Sequence, residues 1–209
     1  MGCAAPLGQG FRHEVLRSAP GLSSKGTALH GQRFVELFAG TCRLARAAAK
    51  RGVSAYSYEL TRSTSENVLD KSCTAFLLAA IGRGAVAGLH AGIVCASWSR
   101  ARRAPISSPF PSALRGDSIS EIWGLPGLSD RDQARVDLGN RMVRWLVRII
   151  KSCIKHRVPI TVENPLTSRI WLAPPLQKLL GKCSSIVSSS SRLASPCPAG
   201  KCMWALVQL

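Results

Sequence analysis

Residues 33–50, RFVELFAGTCRLARAAAK, decide the fold of this chain. The segment opens with a short run rich in apolar residues, which is typical of a buried strand, and the run stops at Ala39-Gly40-Thr41. Apolar residues then recur at helical spacing as far as Lys50. The pattern therefore predicts a strand, a tight turn and a helix.

Working outward, Gly52 ends this helix, and residues 53–58 alternate in polarity before the acidic Glu59, as a second parallel strand would. The rest of the chain continues the alternation of strands and helices. We predict helices over 73–81, 136–156 and 171–180, the last broken by Pro174 and Pro175, and strands over 91–94, ending at Cys95, and 159–162. The chain is therefore expected to be an α/β protein.

We expect one main domain, because 209 residues are too few for this domain and a second large one. Residues 1–31 carry no stable period and are interpreted as a flexible leader, residues 32–182 as the domain, and residues 183–209 as an irregular tail. Residues 97–130 are rich in Pro, Gly and Ser, which predicts a long loop of the kind that carries active-site residues.

The charge of the chain favours a polyanionic partner. Lys and Arg number 28 against 11 Asp and Glu, which gives a net charge of +17. Such a field attracts nucleic acid over several ångströms in moderate salt. The alternative is a basic surface that serves solubility alone, since the arginines are scattered along the chain.

Cysteine usage indicates a reducing, intracellular setting. The chain has eight Cys, but its first ten residues lack the apolar core of a secretory signal. No Cys-x-x-Cys pair occurs, so we expect no metal site, and no stretch is apolar enough to predict a membrane span. We expect a monomer, and a DNA substrate would require a nuclear location.

Two groups of residues fall at predicted strand ends, where open parallel sheets bind ligands. At the first turn, Phe38, Ala39, Gly40 and Thr41 would let a nucleoside cofactor approach the backbone, and Glu59 would accept hydrogen bonds from ribose hydroxyls. A plain structural turn with a solvated Glu59 is the alternative.

The second group is Cys95, followed by Trp98 and Ser99, together with Glu163 and Asn164. With Phe38-Ala39-Gly40, these segments resemble the cofactor loop, the catalytic cysteine loop and the Glu-Asn motif of the DNA cytosine-5 methyltransferase family, in the family's order. The resemblance covers residues 34–171.

This resemblance implies a Rossmann-like class I methyltransferase sheet with helices on both faces, S-adenosylmethionine as cofactor and DNA as substrate. It also implies that the Cys95 thiolate attacks C6 of a flipped cytosine, that Glu163 holds and protonates the N3 edge, and that Asn164 orients the loop or the glutamate. Relative to the family, the sheet is expected to be incomplete at the C-terminal end, through truncation or a change of reading frame.

Other interpretations stay open. Ser99, Arg100, Arg102 and Arg103 would contact nucleic acid, or they form a solvated loop face. The chain departs from the family pattern at Val94 and Ala96, which flank the cysteine, and it lacks a later Gln-Arg-Arg motif. The alternatives are therefore an inactive remnant that binds cofactor or nucleic acid, in which Cys95 is a small buried hydrophobe, or a methyltransferase for RNA or protein.

Overall fold

A computed structural model describes residues 31–102 and 112–181, and the backbone of residues 184–190 and 202–208. Arg103, the predicted leader up to residue 30 and the side chains of the predicted tail lie outside the described residues. In chain order the elements are β1 (Arg33–Leu37), α1 (Arg43–Ala49), β2 (Ala55–Tyr58), a 3-10 turn (Thr64–Glu66), α2 (Lys71–Gly82), β3 (Val86–Gly92), α3 (Asp130–Lys155), β4 (Ile160–Pro165), a 3-10 turn (Arg169–Leu172), α4 (Pro174–Leu180), β5 (Ser184–Ser190) and β6 (Cys202–Gln208).

The predicted α/β fold is confirmed by a four-stranded parallel sheet with helices. The strand order is β2-β1-β3-β4-β6-β5, and β5 pairs antiparallel with β6. β1 lies between β2 and β3 and is parallel to both, with Val35 opposite Tyr56 on one side and Leu89 on the other. A central parallel strand is buried on both faces, which explains why the consecutive residues Val35, Glu36 and Leu37 of β1 are all buried.

The chain divides into two compact units. The first contains the described part of residues 1–92 together with residues 151–160, and the second contains residues 93–150 with the described part of 161–209. The first unit buries the inner residues of β1, α2 and β3, namely Val35, Leu37, Leu77, Ile81 and Leu89. The second buries one face of α3 with Trp98, namely Val143, Leu146, Ile149 and Ile150.

The third strand differs from its predicted bounds of 91–94. β3 starts at Val86 and ends at Gly92, and Val94 is 46% exposed. Two glycines and His90 interrupt the apolar run in the true strand, so its early part does not show a strand pattern. The polar His90 is buried nonetheless.

Two helices also differ from their predicted bounds. α3 starts at Asp130 rather than at residue 136, because its first turn is polar and exposed and carries no apolar period. Pro174 and Pro175 begin α4 instead of breaking a helix, since the first turn of a helix does not need their missing N–H groups. The predicted helix around residue 171 is a 3-10 turn, Arg169–Leu172.

The backbone after Gly181 forms two strands that sequence patterning does not locate. β5 and β6 pair from Ser184 with Gln208 to Ser190 with Cys202. Serine occupies five of the seven positions of β5, so the apolar alternation that predicts a strand is missing.

Candidate functional site

The turn after β1, which the sequence analysis assigns to a cofactor, has an unusual backbone. Phe38 and Cys42 adopt left-handed conformations, with φ of +55° and +57°, and Gly40 has φ of +49°. For a residue with a side chain this conformation costs about 1–2 kcal/mol. A Cβ built on Gly40 would meet nothing within 4 Å, so the space beside this backbone is open. Strained, open turns of this kind are frequent where a ligand approaches the chain.

Glu59 lies at the end of β2 and holds this turn. Its Oε2 accepts a hydrogen bond from the N–H of Gly40 at 2.7 Å, and its Oε1 accepts from the N–H and the hydroxyl of Thr61 at 3.0 and 2.9 Å. Partial burial alone would raise the pKa of Glu59, but the hydrogen bonds from Thr61 and Gly40 outweigh it and lower the pKa. The carboxylate is therefore ionised at neutral pH and can accept further hydrogen bonds.

Glu36 is a residue of this turn that sequence reasoning missed. It is 5% exposed within β1, and its Oε2 accepts a hydrogen bond from the N–H of Ala45 at 2.7 Å, in the first turn of α1. Burial raises the pKa of Glu36, against the effect of backbone N–H groups of Ala45 and Leu44. An acidic residue inside an apolar strand is the sequence feature that marks it, because a buried carboxyl needs donors.

The ion pair between Arg62 and Glu66 stabilises the same turn. Arg62 donates through Nε to the buried Glu66 at 3.0 Å, and through Nη1 to Ser57 at 3.0 Å and to the Cys42 sulfur at 3.2 Å. Glu66 also accepts from the N–H of Glu59 at 2.8 Å. Arg62 and Glu66 therefore fix both the left-handed Cys42 and the backbone of Glu59.

In the second unit, the cysteine segment and the Glu-Asn motif lie at neighbouring strand ends. The N–H of Ile93 donates to the carbonyl of Glu163 at 3.3 Å, and Asn164 Nδ2 donates to the carbonyl of Ile93 at 2.7 Å. Cys95 follows two residues later as a half-buried free thiol. The structure thus joins the Glu163-Asn164 motif to the backbone at Ile93, two residues before Cys95.

Asn164 is a positioning residue by its geometry. It is 2% exposed, its amide holds the backbone two residues before Cys95, and its Oδ1 has no hydrogen-bond partner among the described residues. The carbonyl of Cys95 in turn accepts from the N–H of Trp98 at 2.9 Å, which closes a turn after the thiol. Glu163 itself is half-buried.

The residues predicted to contact nucleic acid have different partners in the structure. Arg100 pairs with Asp117 at 2.6 Å, and Asp117 also accepts from Arg169 Nε at 2.8 Å. The hydrogen bond from Arg100 is the main cause that lowers the pKa of Asp117. Ser99 accepts from the N–H of Ala101 at 3.1 Å, and Arg102 is half-buried. Arg100 is therefore ion-paired within the protein, although it shares the single carboxylate of Asp117 with Arg169.

Arg115 packs against the cysteine segment through Ser97 and Trp98. The sequence did not predict this role. Arg115 is fully buried, and its guanidinium carbon lies 3.5 Å from the centroid of the Trp98 ring. Its partners are all neutral oxygens: those of Ile122 (2.8 Å), Asn140 (2.7 Å), Ser97 (3.0 Å) and Val136 (2.9 Å). Burial lowers its pKa to about 10, so it stays charged at neutral pH.

Gly139 on α3 makes room for this arrangement. A Cβ at this position would lie 2.5 Å from Ser97 Oγ, 2.7 Å from Arg115 Nη2 and 3.0 Å from Trp98 Nε1. These separations are well inside normal contact, so no residue with a side chain fits without displacing the cysteine segment or Arg115.

Two absences concern only the described part of the chain. Among residues 31–102 and 112–181, no group of three or more His, Cys, Asp or Glu side chains could hold a metal ion. No helix that the structure describes is long and apolar enough to span a membrane.

Comparison with known proteins gives no further assignment: the scan against family models found no matching family, and the search of curated proteins found no match.

Proposed function

We propose that this chain is an S-adenosylmethionine-dependent methyltransferase that resembles DNA cytosine-5 methyltransferases and acts on C5 of cytosine. The observation that carries the proposal is the pair of hydrogen bonds between Ile93 and the Glu163-Asn164 motif, at 3.3 and 2.7 Å. They bring the motif that contains the proposed acid beside the segment that carries the proposed nucleophile, although the two are 68 residues apart in the sequence.

The turn after β1 fits an adenosyl cofactor. The open space at Gly40 allows close backbone approach, and the ionised Glu59 at the neighbouring strand end suits ribose hydroxyls. The residues that would hold the cofactor are Phe38, Ala39, Gly40, Thr41 and Glu59. When bound, S-adenosylmethionine supplies an electrophilic methyl group.

The second unit supplies the groups that act on the base. The Cys95 thiolate adds to C6 of an extruded cytosine, which makes C5 nucleophilic, and Glu163 holds and protonates N3. Asn164 fixes the backbone before Cys95 and so sets the position of the thiol. Once C5 carries the methyl group, water takes the C5 proton, N3 returns its proton to the Glu163 carboxylate and the bond between sulfur and C6 breaks, which restores the thiolate and the aromatic ring.

Covalent trapping tests the role of Cys95. Duplex DNA that contains 5-fluorocytosine blocks loss of the C5 substituent, so we expect a protein–DNA adduct when S-adenosylmethionine is present. Cys95→Ser should abolish the adduct. Cys73→Ser, which alters a half-buried thiol on α2, is the matched control and should leave it intact. An adduct that survives Cys95→Ser would assign the nucleophile to another residue.

A further inference from the structure

The outer side of α3 carries an uninterrupted row of cations. Between Gly139 and Ile150, the exposed residues are three arginines, Arg141, Arg144 and Arg148. They follow one another at intervals of three and four residues, which places them on one side of the helix. We call them the α3 arginine stripe. The same spacing continues through Lys151 and Lys155, both exposed, to the end of the helix.

The stripe has one acidic residue near it in the sequence, at its N-terminal end. Asp137 lies one turn before it, and the chain has no further Asp or Glu until Glu163. None of the three arginines takes part in the ion pairs found within residues 31–102 and 112–181. Arg144 lies over the ring of Trp123, at 5.8 Å from its centroid. Their charge is therefore available to an external anion, in contrast to that of Arg100.

The helix presents these charges on a rigid support. The residues between the arginines are buried, namely Met142, Val143, Trp145 and Leu146. Rotation or displacement of the helix would therefore disrupt the hydrophobic core. Charges fixed in this way lose less side-chain and backbone freedom on binding than charges on a loop. From Arg141 to Lys155 the row is about 21 Å long at 1.5 Å per residue.

We propose that the α3 arginine stripe binds the phosphate backbone of duplex DNA. Duplex DNA carries about one charge per 1.7 Å of axis, so a stretch as long as this row holds on the order of 12 phosphates on its two strands, and part of them lie on the side that faces the stripe. Insertion into a membrane surface does not fit, because the apolar side of α3 is already packed in the core. The inference rests on the proposed function, in which DNA is the substrate.

The stripe holds the duplex and does not read the base. In helical projection, Arg141, Arg144 and Arg148 lie roughly 140–200° around α3 from Gly139, which faces Trp98 and the cysteine segment. Contacts to phosphates position a duplex without selecting its sequence. Because the stripe faces away from the cysteine segment, it binds a stretch of duplex other than the one presented to Cys95 and Glu163, and it adds affinity without taking part in the chemistry.

The test is fluorescence anisotropy of a labelled 20-base-pair duplex with the full chain, without cofactor, over a range of salt concentrations. We expect the triple variant Arg141→Gln/Arg144→Gln/Arg148→Gln to weaken binding at least about tenfold at low salt. The slope of log K against log [salt] should fall by about 3, because each phosphate that an arginine neutralises contributes about 0.9 to it. All three side chains are exposed, so circular dichroism should show unchanged folding; if it does not, Arg148→Gln alone should lower the slope by about 1.

The matched control is a second set of three exposed cations with the same spacing, located on α1 and at its C-terminal cap. Arg43, Arg46 and Lys50 are exposed and also separated by three and four residues. The variant Arg43→Gln/Arg46→Gln/Lys50→Gln should change the slope by less than 1. Equal losses of affinity in the two triple variants would overturn the proposal, since general attraction to a basic protein would then explain binding.

Three further outcomes separate this proposal from the proposed function. If the wild-type chain binds duplex DNA and the stripe variant binds equally well, only the stripe proposal fails. If the wild-type chain binds no DNA, the DNA substrate fails and the stripe proposal with it. Tighter binding to duplex RNA, abolished in the stripe variant, would overturn duplex DNA as the occupant.

Discussion

Each compact unit contains a buried polar cluster built around one arginine, and the two clusters balance charge differently. In the first unit, Arg62 is partly exposed and pairs with the carboxylate of Glu66, whose side chain is buried. In the second, Arg115 is fully buried and has only neutral oxygens and the Trp98 ring as partners. The first cluster holds the proposed cofactor turn, and the second holds the proposed catalytic segment.

This difference predicts how much stability each part of the proposed site loses when its arginine is replaced. Water reaches only the Arg62 side of its ion pair, and when Arg62 is lost the buried Glu66 still accepts a hydrogen bond from the N–H of Glu59. A buried cation that donates to four acceptors has no such compensation, because its removal takes a donor from each of them where water does not reach. We therefore expect the catalytic segment to depend more steeply on its arginine than the cofactor turn does.

The largest expected effect is that of Arg115→Met. The change removes the donors of four buried acceptors and should lower the free energy of unfolding by about 3–5 kcal/mol. Arg115→Lys keeps the charge but not the planar fork and should recover only part of the loss. Urea unfolding measures both. Arg62→Met is the paired control; a loss as large as that of Arg115→Met would remove the contrast between the clusters.

The next effect concerns pH and a buried group of the first unit. Burial lowers the pKa of His90 to about 4, from a usual value of 6.5. Between these values the unfolded chain binds a proton and the folded chain does not, so stability falls as the pH falls from 6.5 to about 4. The shift corresponds to a loss of about 3 kcal/mol at most.

His90→Gln should flatten this dependence, as measured by urea unfolding at pH 7.5 and pH 4.5. His156→Gln, at an exposed histidine, is the control and should keep the wild-type difference. An unchanged pH dependence in His90→Gln would assign acid sensitivity to another group.

Gly139→Ala probes the packing above Arg115 without altering its charge. The added methyl group would meet Ser97, Arg115 and Trp98 within 3.0 Å, and overpacking of this kind costs about 1–3 kcal/mol. We expect lower thermal stability and a changed tryptophan emission, because Trp98 must move. Gly82→Ala is the matched control, since its Cβ would meet only His156 at 3.8 Å. Equal melting temperatures for wild type and Gly139→Ala would contradict the close packing.

The smallest expected effect is that of Glu66→Gln. It keeps the shape of the side chain but leaves Arg62 without a charged partner and weakens the hydrogen bond to the N–H of Glu59. We expect a loss of about 1–2 kcal/mol of unfolding free energy and weaker binding of S-adenosylmethionine by calorimetry. High salt should reduce the effect of this variant, because the partner arginine is partly exposed. A salt-independent effect would show that the pair acts as a buried one.

Much of the fold could be predicted from local sequence patterns, but the polar clusters around Arg62 and Arg115 could not. β1, the turn, α1 and the core of α3 were predictable because their apolar residues recur at strand or helix spacing. The approach of the Glu163-Asn164 motif to the segment before Cys95, through Ile93, was predictable from their places near strand ends. The early part of β3 was not, since its glycines and His90 hide the pattern.

The Arg115 cluster could not be predicted because its partners are 7 to 25 residues away from Arg115, which itself lies on a segment without a period. The same holds for Arg100, whose partner Asp117 is 17 residues away across a predicted loop. In the sequence, Gly139 is only a residue of low helix propensity. The structure shows that the absence of a side chain at this position makes room for Trp98 and Arg115.

The most direct test of the proposed function is transfer of labelled methyl from S-adenosylmethionine to DNA and, separately, to RNA by the purified chain. We predict incorporation into cytosine of DNA that Cys95→Ser and Glu163→Gln each abolish, while both variants still bind the cofactor. Measurable cofactor binding with no incorporation into either nucleic acid would contradict the methyltransferase proposal and favour a binding domain. Incorporation that survives both substitutions would contradict the assigned site.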